Sequence, residues 1–119
     1  MFIIINIIKD KISFFTFVWA FAQRYPQLTA AGVAISSVSP GVEHPPVLGI
    51  PIWLFQGGLD TWPDPNTAQQ VVDYYKSVGG LLTYTFYPNL GHDTWDSAWK
   101  EPGYFPFLVK ARKGLAASR

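Results

Sequence analysis

The sequence predicts an α/β fold of about three parallel strands flanked by helices, and three stretches carry that expectation. Residues 51–55 (PIWLF) are apolar throughout, which suits a parallel strand covered on both faces. Residues 81–87 (LLTYTFY) are rich in β-branched and aromatic side chains and read as a second strand. Between them Ala68, Val71, Val72, Tyr75 and Val78 recur near helical spacing, so residues 66–78 read as a helix joining the two. Strands that alternate with helices imply a parallel sheet with right-handed crossovers.

The remaining elements follow from the punctuation. Residues 1–8 are mostly apolar, Lys9-Asp10-Lys11 interrupts, and residues 12–22 are largely apolar again. Residues 14–24 read as a helix stopped at Tyr25-Pro26, because proline cannot continue it. Residues 31–37 (AGVAISS) form a short β-prone run. Residues 38–49 hold Pro40, Gly41, Pro45, Pro46 and Gly49 and read as a loop. After the strand at 51–55 comes a Gly/Asp/Pro loop, residues 56–65. The helix at 66–78 stops at Gly79-Gly80, as a C-terminal cap would have it. Past the strand at 81–87, residues 88–92 are a loop. Asp93 is then expected to cap a short helix, with Asp96 in a capping-box-like position, and residues 104–114 make the last helix.

Composition narrows the function classes. The chain has 119 residues, 49% apolar and 17% aromatic, enough for one small folded core. Its net charge of +1 offers no basic field for nucleic acid. Lys110, Arg112, Lys113 and Arg119 cluster at the C-terminus, which reads as a solvated helix end and tail. The absence of cysteine removes disulfides, thiolate catalysis and cysteine-ligated zinc, and leaves the compartment open. With His44 and His92 as its two histidines, the chain is not expected to bind a metal, and no cofactor is expected. Lys9-Asp10-Lys11 breaks any apolar span of about 20 residues, which argues against a transmembrane helix. Ala20-Phe21-Ala22 has the small-residue pattern of a signal-peptide cleavage site, but the segment begins apolar where a signal peptide begins basic.

Two residues carry the chemistry. Asp60 lies in Gln56-Gly57-Gly58-Leu59-Asp60, directly after the strand at 51–55, where the glycines permit a tight return of the carboxylate. His92 lies in Asn89-Leu90-Gly91-His92-Asp93, directly after the next strand. In a parallel sheet both loops leave by the carboxyl rim, where ligands bind. A carboxylate beside a histidine fixes its tautomer and stabilises the imidazolium, which is what a general base needs. Taken singly, an aspartate in a glycine-rich loop is a turn former and a loop histidine a surface residue. Together, acid then histidine on successive loops, they follow the chain order Ser, Asp, His of the α/β-hydrolase triad. Asp64 competes with Asp60 as the acid.

At these residues the sequence resembles the C-terminal part of α/β-hydrolases, in the phospholipase/carboxylesterase, dienelactone-hydrolase-like and prolyl-oligopeptidase-type groups. Those proteins carry P-I-W-x-F-H-G, an acid a few residues on, a helix ending G-G, a strand ending Y-P, and G-H-x-x-W. The equivalents are Pro51-Ile52-Trp53-Leu54-Phe55-Gln56-Gly57, Asp60, Gly79-Gly80, Tyr87-Pro88 and Gly91-His92-Asp93-Thr94-Trp95. Trp19-Ala20-Phe21-Ala22-Gln23-Arg24-Tyr25-Pro26 resembles the helix that follows the nucleophile. The resemblance runs from about residue 17 to residue 110 and implies a partial α/β-hydrolase fold. It also implies ester, thioester or peptide hydrolysis through an acyl-enzyme, with a small-molecule ester or peptide as substrate of the parent enzyme. His92 would be its base and Asp60 its orienting acid. Gln56 stands where the family has histidine, outside the triad.

The nucleophile is the main departure. The family places G-x-S-x-G on an elbow before the helix of Trp19, with small neighbours relieving a strained backbone. Here Ser13 is flanked by Lys11 and Phe15, its distance to Tyr25-Pro26 is short for the family, and it reads as a coincidental serine. Ser36, Ser37 and Ser39 fall at or after the end of the following strand, where the family places no nucleophile. Residues 1–11 match no family element, and the strand leading to the elbow is expected to be absent. The domain reading is therefore an unassigned apolar segment, 1–11, joined by truncation, a misplaced start or a frameshift to the C-terminal portion of a hydrolase, 12–119. Three readings result: a serine-hydrolase fragment inactive alone, a non-enzymatic interaction module that self-associates through an exposed sheet edge, and a small protein anchored to a membrane by residues 1–22. The first is favoured. Trp62, Trp95 and Trp99, in or after the active-site loops, are expected either to line a pocket or to pack core and rim.

Overall fold

The structure, a computed structural model, describes residues 2–7, 17–38 and 45–117. Ser13, Ser39 and His44 lie outside the described residues. The elements, in chain order, are β1 (Phe2–Ile7), α1 (Phe17–Arg24), β2 (Thr29–Ile35), α2 (Pro45–Leu48), β3 (Ile52–Gly57), α3 (Pro65–Val78), β4 (Leu82–Tyr87), α4 (Trp95–Trp99) and α5 (Tyr104–Ala117), with a 3₁₀ turn at Pro26–Leu28. The strands form one four-stranded sheet in the order β1-β2-β3-β4, and every neighbouring pair is parallel.

The three expected strands are β2, β3 and β4, with helices flanking them. The structure corrects the expectation for the N-terminus. Residues 2–7 are a strand, paired in parallel with β2 from Ile3↔Ala31 to Ile7↔Ile35, so a strand does lead toward α1. Smaller differences are local. β2 begins at Thr29, and the predicted loop before β3 contains the short helix α2.

Helix α3 forms where the spacing places it. Ala68, Val71, Val72 and Tyr75 are its buried face. Asp64 caps it by accepting a hydrogen bond from the Asn66 N–H at 2.8 Å, Pro65 occupies the first turn, where its missing N–H costs nothing, and Gly79 ends it at φ 72°. Strand alternation sorts the core onto the two faces of the sheet. Ala34, Ile52 and Leu54 pack with Val18 and Trp19 of α1 and the buried face of α3. Val33, Ile35, Trp53 and Phe55 point the other way, against Ala98 of α4 and Tyr104 of α5. Each fully buried large side chain contributes about 1.5–3 kcal/mol of transfer free energy. Covered on both faces, β3 reads as the unbroken apolar run seen in the sequence. Trp19 also donates its indole N–H to the Ser37 carbonyl at 3.0 Å, tying α1 to the end of β2.

Candidate active site

The acid loop and the histidine loop are held together by main chain. Gly57 ends β3 opposite Tyr87, which ends β4. Past that pair the Gly58 N–H donates to the Tyr87 carbonyl at 2.8 Å and the Leu59 N–H to the Leu90 carbonyl at 2.9 Å. The approach is too close for a side chain at Gly57: a Cβ there would lie 2.0 Å from the Gly91 carbonyl oxygen and 2.5 Å from that of Leu90. Glycine at this position is required by the neighbouring backbone and not by a special φ. Gln56, fully buried, closes the acid loop from within, its amide NH₂ donating to the carbonyls of Gly57 and Pro63, each at 3.0 Å.

This frame brings the two predicted residues together. The Asp60 Oδ2 and His92 Nδ1 atoms are 2.7 Å apart. The Asp60 side chain is 2% exposed and that of His92 13%, so the carboxylate is sealed while the imidazole reaches the surface. Asp60 Oδ1 accepts the Trp62 N–H at 3.0 Å, which engages the second oxygen and fixes the carboxylate plane. With the proton on Nδ1 facing Asp60, the lone pair of the neutral imidazole is on Nε2. The arrangement can take up a proton at Nε2 and stabilise the resulting imidazolium through a charge-assisted hydrogen bond.

The geometry also separates the competitors. Asp64 is the exposed cap of α3, and Asp60 is the carboxylate that meets His92. Asp93 does not cap α4; Thr94 takes the N-cap position without a side-chain capping bond, and Asp96 lies in the first turn. The cap falls one residue later than expected because Thr94 is drawn inward, where its hydroxyl lies 2.7 Å from Ser36 Oγ. Ser36 in turn donates to the His92 carbonyl at 2.5 Å. Its hydroxyl is committed to this bond. Nothing in the sequence marked Ser36 and Thr94 as partners, since 58 residues separate them. Of the tryptophans, Trp95 sets its ring edge-to-face against His92 at 6.2 Å, while Trp62 and Trp99 are exposed.

Below His92, the Tyr87 hydroxyl donates to Glu101 Oε1 at 2.6 Å. Burial and the adjacent carboxylate both push the Tyr87 hydroxyl well above the ordinary tyrosine range. A cavity of about 840 Å³ lies away from all these groups, at the amino ends of the strands, where Ile50, Pro51, Leu81, Leu82 and Phe107 line it. Among the described residues no cluster of histidine, aspartate and glutamate could hold a metal ion, and no helix is long and apolar enough to cross a membrane.

No family model and no curated protein matches the sequence. Among solved structures, the chain is similar to a thermostable esterase at 21% identity and a TM-score of 0.70, over 78% of this chain and 27% of that one. It also aligns with a protein assigned as a dienelactone hydrolase from Klebsiella pneumoniae at 17% identity and a TM-score of 0.47, over 65% of this chain and 36% of that one. The chain thus spans about a quarter of the esterase's length. At this identity the likeness concerns the fold alone, a parallel sheet with flanking helices that matches a partial α/β-hydrolase fold.

Proposed function

We propose that the chain is the acid- and base-bearing part of a serine hydrolase that cleaves an ester, thioester or peptide through an acyl-enzyme. The observation that carries this reading is the 2.7 Å contact of Asp60 with His92 on successive loops at the carboxyl ends of β3 and β4. In the parent enzyme His92 Nε2 takes the proton of the attacking serine hydroxyl and returns it to the leaving group. The acyl-enzyme is then opened by water, with the same nitrogen as base. Asp60 holds the tautomer and stabilises the imidazolium. The chain alone lacks an activated nucleophile. The connection between β1 and α1, which holds Ser13, has Lys11 and Phe15 where an elbow needs glycine.

Incubation with a fluorophosphonate probe and with p-nitrophenyl acetate tests this reading. The chain is expected to form no serine adduct, and to turn over no ester beyond what a His92→Ala chain does. An adduct on Ser13 would overturn the inactivity and make the chain a working hydrolase. A G-x-S-x-G upstream in another reading frame of the genomic sequence would support the account of a displaced nucleophile.

A second reading, a non-enzymatic interaction module, is favoured by one feature. Among the described residues, β1 pairs with β2 on one side and ends the sheet on the other. A strand edge of that kind is a template for a further chain.

A further inference from the structure

Ser36 stands at the carboxyl end of β2 and is fully buried. Among the described residues it is the non-glycine residue with positive φ, at 52°. L-residues hold the left-handed region only when the surroundings over-determine it, so an observed outlier asks for a reason. Its own N–H still bonds the Phe55 carbonyl at 2.9 Å, so the strand ladder is intact up to this residue. The left-handed turn follows, and the hydroxyl crosses to the loop after β4.

There the donors can be ordered. The hydroxyl of Ser36 has one proton, and it goes to the His92 carbonyl at 2.5 Å. The 2.7 Å contact with Thr94 must then use the proton of Thr94. The chain runs from the Thr94 hydroxyl to the Ser36 hydroxyl to the His92 carbonyl, and each bond polarises the next. The same carbonyl accepts the Thr94 N–H at 2.9 Å, so both its lone pairs are used. His92 is therefore held twice: by Asp60 at the ring, and at its carbonyl by the Ser36 hydroxyl, which the Thr94 hydroxyl backs.

We propose that Ser36, together with Thr94, is a positioning residue for His92, fixing the backbone from which the imidazole reaches Asp60. The inference rests on the reading of Asp60 and His92 as acid and base, and it assigns the left-handed turn at Ser36 to aiming the hydroxyl.

The test follows the His92 Nδ1 proton by NMR in the full, isotope-labelled chain, with Asp60→Asn to assign the signal. Ser36→Ala, Ser36→Gly and Thr94→Val are each expected to speed exchange of that proton with water about tenfold, and Thr94→Ser to keep it within about twofold of the unsubstituted chain. Thermal melts separate positioning from bulk stability. Glycine relieves the left-handed strain and alanine does not, so the two Ser36 variants should differ in Tm while sharing the loss at His92. Exchange that is unchanged in both Ser36 variants, or that tracks Tm instead of the hydroxyl, would overturn the proposal. If Ser36→Ala does not fold, Ser36→Gly carries the test. A signal that Asp60→Asn does not alter would mean there is no acid–base pair, and both readings would fall. A signal present in the unsubstituted chain and indifferent to Ser36 overturns only the hydroxyl tie.

Discussion

At the scale of single residues, the most demanding position is Gly57. A methyl group there meets backbone carbonyls of the histidine loop and no flexible side chain, so relief requires the acid and histidine loops to move apart. Gly57→Ala should therefore cost roughly 1–3 kcal/mol of stability, the range typical of overpacking. Urea unfolding would measure that loss, and the Nδ1 proton signal of His92 would report the lost contact with Asp60. A variant of unaltered stability and unaltered signal would refute the backbone account. The meeting of Asp60 with His92 was legible in the sequence because both lie in glycine-rich loops directly after neighbouring strands. The choice of Asp60 over Asp64 was only half legible, since both lie in one loop. Which carboxylate turns inward and which caps α3 depends on where α3 begins. Ser36 was illegible as a partner of His92: its hydroxyl gains a role only when β2 and the loop after β4 meet in space.

At the scale of elements, β4 is tied to the segment between α4 and α5 by the Tyr87–Glu101 bond. Burial first, then the hydrogen bond and charge of Glu101, raise the Tyr87 hydroxyl above its ordinary value of 10.0. The fold thus favours the protonated phenol. Its contribution to stability is fully present below about pH 10 and is lost as pH climbs past that point toward the folded-state value. Tyr84 and Tyr104 are raised by burial in the same direction. Melting temperature should accordingly fall as pH rises above about 10, and fall less steeply in Glu101→Gln, which keeps an acceptor but drops the charge. Equal slopes for the two chains would show that the carboxylate does not govern Tyr87. The longer helices and the strands β2, β3 and β4 were legible because their periodicities differ: α3 repeats on one face, β3 is apolar throughout, and β4 is β-branched and aromatic. The strand β1 escaped because a short apolar run beside charges fits strand, buried helix or leader equally, and only its partner β2 decides among them.

At the scale of the whole molecule, the described sheet is a three-layer sandwich with its two outer strands exposed to different fates. β4 carries only intermediate and exposed residues and lies beside α3 and the loops of the candidate site. β1 pairs only with β2 among the described residues, in a chain that spans about a quarter of the length of the esterase it resembles in fold. The parallel pairing of β1 leaves one row of its peptide groups directed away from β2, and such a row is satisfied by water or by another strand. A second copy of this chain offers the same edge, so a symmetric pairing of β1 with β1 would extend the sheet without new chemistry. Size-exclusion chromatography with light scattering, across about a hundredfold range of concentration, should then show monomer giving way to dimer. Lysine substitutions at Ile3 and Ile5 should return the chain to monomer, since charge on an edge strand discourages pairing. A monomer at every concentration would remove the interaction-module reading and leave the acid–base pair as the feature from which function is argued. A dimer that persists in the lysine variant would place the contact elsewhere, on the exposed apolar side chains such as Leu81, Phe86 and Phe105. The two readings of the chain thus meet at different ends of the same sheet and fail independently: the hydrolase reading at the Asp60–His92 rim, the interaction reading at the β1 edge.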